Sequence, residues 1–94
     1  MISLLKTKRQ EIIQIAASHG AYEIRIFGSA ARDEFGPESD IDVIVTLESG
    51  RSLLDLIAIK QDLEDLLGRE VHIVTEKSLS PYIKENVRKE AVNL

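Results

Sequence analysis

Residues 27–45, FGSAARDEFGPESDIDVIV, carry the two features that decide the fold. Ahead of the Gly28-Ser29 pair, YEIRIF at 22–27 alternates Tyr22, Ile24 and Ile26 against Glu23, Arg25 and Phe27, the pattern of a strand with two differently treated faces. Beyond it, SDIDVIVTL concentrates β-branched Ile41, Val43, Ile44 and Val45 behind Asp40 and Asp42, which predicts a second strand. Residues 29–33 suit one or two helical turns with Ser29 as the N-cap, and Gly36-Pro37 marks a turn. So short a link favours an antiparallel pair, because parallel crossovers need about a dozen residues or more.

Working outward, residues 2–19 place Leu4, Leu5, Ile12, Ile13, Ile15 and Ala16 at helical spacing, and Gly20 supplies a stop. Ser52 with Asp55 three positions on resembles a capping box for the helix LLDLIAIKQDLEDLL, which Gly68 should end. REVHIVT at 69–75 predicts a third strand, and Ser80-Pro81 begins a last helix through about Val87. The order α-β-α-β-α-β-α gives an α/β (α+β) domain with a small sheet flanked by helices.

The 94 residues suffice for one domain, residues 1–94, and one core. With 44% hydrophobic and 30% charged residues the chain has an ordinary globular composition. The absence of cysteine removes disulfides, thiolate zinc sites and a cysteine nucleophile. No apolar run approaches the ~20 residues of a membrane span, and the N-terminus lacks a signal peptide's apolar core, so a cytoplasmic setting is expected. A net charge of −4 argues against broad binding of nucleic acid, and the two tyrosines and two phenylalanines are too scattered for a stacking platform.

Asp40 and Asp42 are the chemical centre of the reading. Two apart in a strand, they project from one face roughly 6 to 7 Å from each other. Like charges so placed repel unless a cation lies between them, and Mg²⁺ prefers carboxylate oxygens. Ile41, Val43 and Val45 on the opposite face would anchor the pair in the core. A solvated strand end with a turn-capping Asp40 is the bland alternative. Gly28-Ser29 adds backbone N–H groups and a hydroxyl where a phosphate can sit, though a Gly-Ser pair alone is also an ordinary turn.

Gly28-Ser29, ten intervening residues and Asp40-Ile41-Asp42 together resemble the GS-x₁₀-D-x-D signature of the polymerase-β-like nucleotidyltransferases, with Arg32 and Ser39 included in the match. The surrounding text is similar to the minimal nucleotidyltransferase (MNT) domains of MntA-type antitoxins, encoded beside HEPN-domain toxins. The resemblance implies a small mixed sheet and transfer of a nucleoside monophosphate from an NTP to a hydroxyl, with pyrophosphate leaving. In the antitoxins the implied donor is ATP and the implied acceptor a tyrosine of the HEPN toxin. Carried over, Gly28 and Ser29 hold the triphosphate, Arg32 contacts a phosphate, and Asp40 and Asp42 bind Mg²⁺.

The pattern departs at one position. The family's third carboxylate comes from a segment resembling V-D-L-V, where this chain has Val71-His72-Ile73-Val74. Imidazole is a poor Mg²⁺ ligand and carries no negative charge. His72 is therefore a candidate catalytic residue as a general base, or else a tolerated strand residue, and Glu70 two residues earlier is an uncertain substitute. His19 suits a helix C-terminus, Arg25 either a nucleotide contact or solvent, Lys77 and Ser78 a loop, and KENVRKE the exposed face of a terminal helix. An active AMP-transferring antitoxin and a weak or inactive relative that neutralises its partner by binding are the competing expectations. Transfer to RNA or a small antibiotic has less support in a chain with no basic tract. Acceptor, base preference and homo- or hetero-oligomeric state stay open.

Overall fold

The computed structural model describes residues 3–31 and 40–94. The first amphipathic segment is two helices, α1 (Ser3–Thr7) and α2 (Arg9–Ser18), rather than one. Lys8, at φ −96° and ψ 9°, leaves helical geometry between them, yet its N–H still donates to Leu4 and its carbonyl accepts from Ile12. Gly20, at φ +82°, turns the chain into β1 (Ala21–Phe27).

β1 pairs antiparallel with β2 (Ile41–Leu47), as the short link predicts, with Phe27 opposite Asp42 and Ile26 opposite Val43. The anticipated capping box holds. Ser52 accepts from the Leu54 N–H, Asp55 accepts from the Ser52 N–H, and α3 (Leu53–Leu67) ends on Gly68 in the left-handed conformation. β3 (Val71–Thr75) then lies parallel to β2, with Asp42 opposite His72. Ser80 caps α4 (Pro81–Glu90), which runs beyond the expected Val87.

A short strand absent from the sequence reading, β4 (Val92–Asn93), closes antiparallel onto β1. Among the described residues the sheet is four-stranded and mixed, in the order β3-β2-β1-β4. α2 packs on β1 and against α3, and α3 packs on β3. Leu5, Ile12, Ala16, Ile59 and Leu63 close one core with Ile26, Ile41, Val43, Val45 and Val71, all at most 1% exposed. Burying such side chains stabilises by about 1.5–3 kcal/mol each. Because alternate residues of a strand take opposite faces, the sheet face carrying Asp42 and His72 is the one turned away from this core.

Candidate nucleotide and metal site

Gly28 ends β1 at φ +73°, a conformation open to glycine and strained for other residues. The segment after it is a single 3₁₀ turn, Gly28–Ala30, and Ser29 does not cap it. That corrects the expected Ser29 cap, while residues 32 and 33 of the expected helical turns lie outside the described residues. Extended Phe27 takes the cap position, since the left-handed glycine bends the chain directly out of the strand. Arg32 and Ser39 also lie outside the described residues.

Gly28 is in close contact with Asp42. A Cβ built on it would stand 2.5 Å from Asp42 Oδ2, so the carboxylate occupies space that any other residue would fill. Phe27 pairs with Asp42 in register, which brings Gly28-Ser29 and the carboxylate pair together at one end of the sheet.

Asp40 sits one residue before β2 and is half-exposed, while Ile41 beside it is fully buried. The backbone of Ile41 donates to the carbonyl of Glu70 at 2.9 Å, so the approach to β3 runs alongside the approach to β2. Glu64 holds that approach from below. Its carboxylate accepts from Lys60 Nζ at 2.8 Å and from the Val71 N–H at 3.0 Å, which keeps its pKa below the ordinary carboxylate value.

His72, opposite Asp42 in the ladder, reaches diagonally to Asp40, with Nε2 2.7 Å from Oδ2. Its pKa is raised, chiefly by this hydrogen bond, which outweighs the opposing effect of burial, and further by the negative charges of Asp40, Glu70 and Asp42. Ligand atoms of Asp40, Glu70 and His72 all lie within 4.8 Å of one another. Glu70 is thus nearer the centre than spacing along its own strand suggests. Three carboxylates and one imidazole share the mouth of the site, a donor set suited to a divalent cation.

The remaining candidates fall elsewhere. Arg25 pairs with Glu23 on the same strand. His19 caps α2 and meets Asp62 of α3 at 3.1 Å. Ser78 bonds back to the Thr75 carbonyl within a 3₁₀ turn, Glu76–Ser78, that also contains Lys77.

With this geometry in view, the comparisons with known proteins agree. The family model described as the nucleotidyltransferase domain matches residues 8–94. The chain belongs to this family. It is a nucleotidyltransferase, and its fold is that of the polymerase-β-like members. It is 43% identical over 86 residues, 92% of each chain, to a candidate protein adenylyltransferase of Methanocaldococcus jannaschii. It is 37% identical over 91 residues to protein adenylyltransferase MntA of Thermococcus cleftensis, covering 88% of this chain and 92% of that one. A solved minimal nucleotidyltransferase superposes with a TM-score of 0.90 at 43% identity, over 98% of this chain and 94% of that one. A chain from the complex of a tri-AMPylated HEPN toxin of Shewanella oneidensis with an MNT antitoxin shares the fold, with a TM-score of 0.71 at 20% identity over 94% of this transferase and 69% of that chain.

Proposed function

We propose that this nucleotidyltransferase is a minimal single-domain antitoxin that transfers AMP from ATP to a hydroxyl, of tyrosine in the first instance, on a HEPN-type toxin. The observation that carries the reading is the packing of Gly28 on the Asp42 carboxylate, which joins the phosphate side of the signature to its metal side. The similarity to a named protein adenylyltransferase over most of both chains supports the choice of AMP and of a protein acceptor.

In this reading Gly28 and Ser29 hold the triphosphate through backbone N–H groups and the hydroxyl, and Arg32 adds a phosphate contact. Asp40 and Asp42 supply oxygen ligands that fit Mg²⁺. When bound, such cations neutralise the charge that develops on the attacking and departing oxygens of an in-line displacement. The acceptor oxygen bonds to the α-phosphorus, the bond to the β-phosphate bridging oxygen breaks, and pyrophosphate leaves. The acceptor's proton leaves to a carboxylate of the site or to water.

The test incubates the protein with Mg²⁺, α-labelled ATP and a HEPN-type toxin. Label should enter the toxin with the native chain and fail to enter with Asp42→Asn. Transfer undiminished in Asp42→Asn would refute the assignment. One observation favours the second reading, a weak enzyme that neutralises by binding: an imidazole stands where the family has its third carboxylate, and it is already bonded to Asp40. A tight complex that survives Asp42→Asn and removal of Mg²⁺, with no label transferred, would select that reading.

A further inference from the structure

The ligand group at the mouth of the site is not the all-oxygen set that Mg²⁺ asks for. Asp40 and Glu70 offer carboxylate oxygens and His72 an imidazole nitrogen, with all three ligand atoms within 4.8 Å. Adjacent ligands of a six-coordinate ion with bonds of about 2.1 Å stand about 3 Å apart, and opposite ones about 4.2 Å, so a small side-chain adjustment brings the trio to the spacing of a shared ion. They are held by main chain as well as by side chain. The Glu70 carbonyl accepts from Ile41 beside Asp40, and His72 lies one step along the parallel ladder from the Ile41–Val71 pair. Side-chain exposure of 42% at Asp40 and 51% at His72 leaves the outer side open to water or to substrate oxygens.

We propose that Asp40, Glu70 and His72 form a mixed oxygen and nitrogen cation position that takes a first-row transition-metal divalent ion, probed with Mn²⁺, in preference to Mg²⁺. The proposal rests on the transfer-site reading for its place in a reaction, while its chemistry stands on the ligands themselves. Mg²⁺ gives up its water reluctantly and demands near-ideal oxygen geometry, whereas first-row transition ions tolerate an imidazole among carboxylates, Mn²⁺ the least demanding of them. A histidine in the third ligand's place therefore penalises Mg²⁺ more than its competitors. Glu70 restores a second carboxylate charge to the trio, which a neutral imidazole alone would leave short.

The experiment uses the tag-free chain without nucleotide. Binding of Mn²⁺ is followed by loss of the aqueous ion's electron paramagnetic resonance signal, with Mg²⁺ as competitor, and electron spin echo modulation reports nitrogen bound to the ion. We expect an imidazole nitrogen signal in the native chain, at least tenfold preference for Mn²⁺ over Mg²⁺, and about tenfold weaker binding in Glu70→Gln. In His72→Asp the nitrogen signal should vanish and the preference narrow, while His19→Gln should keep both, since His19 is the only other imidazole in the chain. Absence of nitrogen coupling in the native chain, its persistence in His72→Asp, or equal competition by Mg²⁺ would overturn the proposal. Nitrogen-bound Mn²⁺ in a chain that transfers no AMP would leave this site standing and remove the proposed function. Transfer with Mg²⁺ in a chain showing no nitrogen coupling would do the reverse.

Discussion

β2 has two neighbours, and they treat its carboxylates differently. On the antiparallel side, β1 ends in a left-handed glycine whose missing side chain makes room for Asp42, and the sequence there follows the family signature residue for residue at Gly28 and Ser29. On the parallel side, β3 brings His72 and the approaching Glu70 to Asp40, and an imidazole stands where the resemblance leads one to expect a carboxylate. The first side is constrained by backbone sterics, which admit one residue type. The second is constrained by ligand chemistry, which allows exchange between carboxylate and imidazole at the cost of changing the preferred ion.

If the glycine side is the unyielding one, the largest effects belong to it. Asp42→Asn removes a charge from the ligand set while keeping the side chain's size, and transfer of label should fall about a hundredfold or more, the scale seen when a principal electrostatic group is lost. The thermal melt should barely move. Gly28→Ala comes next. Its Cβ displaces the Asp42 carboxylate and forces a left-handed alanine, so transfer should drop about tenfold or more and stability by about 1 kcal/mol, measured by urea denaturation. A Gly28→Ala protein with native activity would show that the close approach to Asp42 has no role in the site.

The histidine side should yield in either direction. His72→Asp restores the family's oxygen ligand at an exposed position, so Mg²⁺-supported transfer should rise several-fold with little change in the unfolding midpoint. A fall in transfer at every divalent ion would instead show that the imidazole itself serves the reaction, as a base for the acceptor hydroxyl. The two sides of β2 would then both be fixed, and the comparison would lose its asymmetry.

How far the sequence could be read follows the same division. Period-two alternation announced β1, a concentration of β-branched residues announced β2, Ser52 and Gly68 announced the ends of α3, and the short link announced the antiparallel pairing, because each signal is local. β4 was illegible. Two residues, Val92 and Asn93, carry no periodicity, and they become a strand only because β1 offers an edge, with the Leu94 N–H donating to the Ile24 carbonyl. Ser29 was misread as the cap of the turn that follows β1, because serine reads alike as a helix cap or a turn residue. Within the site, Gly28, Asp40 and Asp42 were visible as a spaced signature. Glu70 was underrated for a physical reason. Its distance was reckoned along β3, whereas its place is set by the parallel register with β2, a non-local fact that no strand discloses alone.

The smallest expected effect sharpens the comparison from the proton's side. In cation-free protein His72 should titrate above its ordinary value near 6.5, because Asp40 accepts its N–H and Glu70 and Asp42 add negative charge. A group whose folded pKa is raised contributes stability that is fully present below its unfolded pKa. The contribution from His72 should therefore be intact at pH 6 and disappear as pH climbs from about 6.5 through the folded value. The effect is modest, since the ring is half exposed and solvent screens the pair. Ring-proton resonances of His72, followed by NMR in the presence of a chelator, give the pKa directly, and Asp40→Asn should bring it back toward the ordinary value. His19, at the C-terminal cap of α2 and paired with Asp62, serves as the reference resonance that Asp40→Asn should leave in place. An unshifted His72 in the native chain would mean that the hydrogen bond to Asp40 is not populated in solution, and the parallel side of β2 would then be held by backbone register alone.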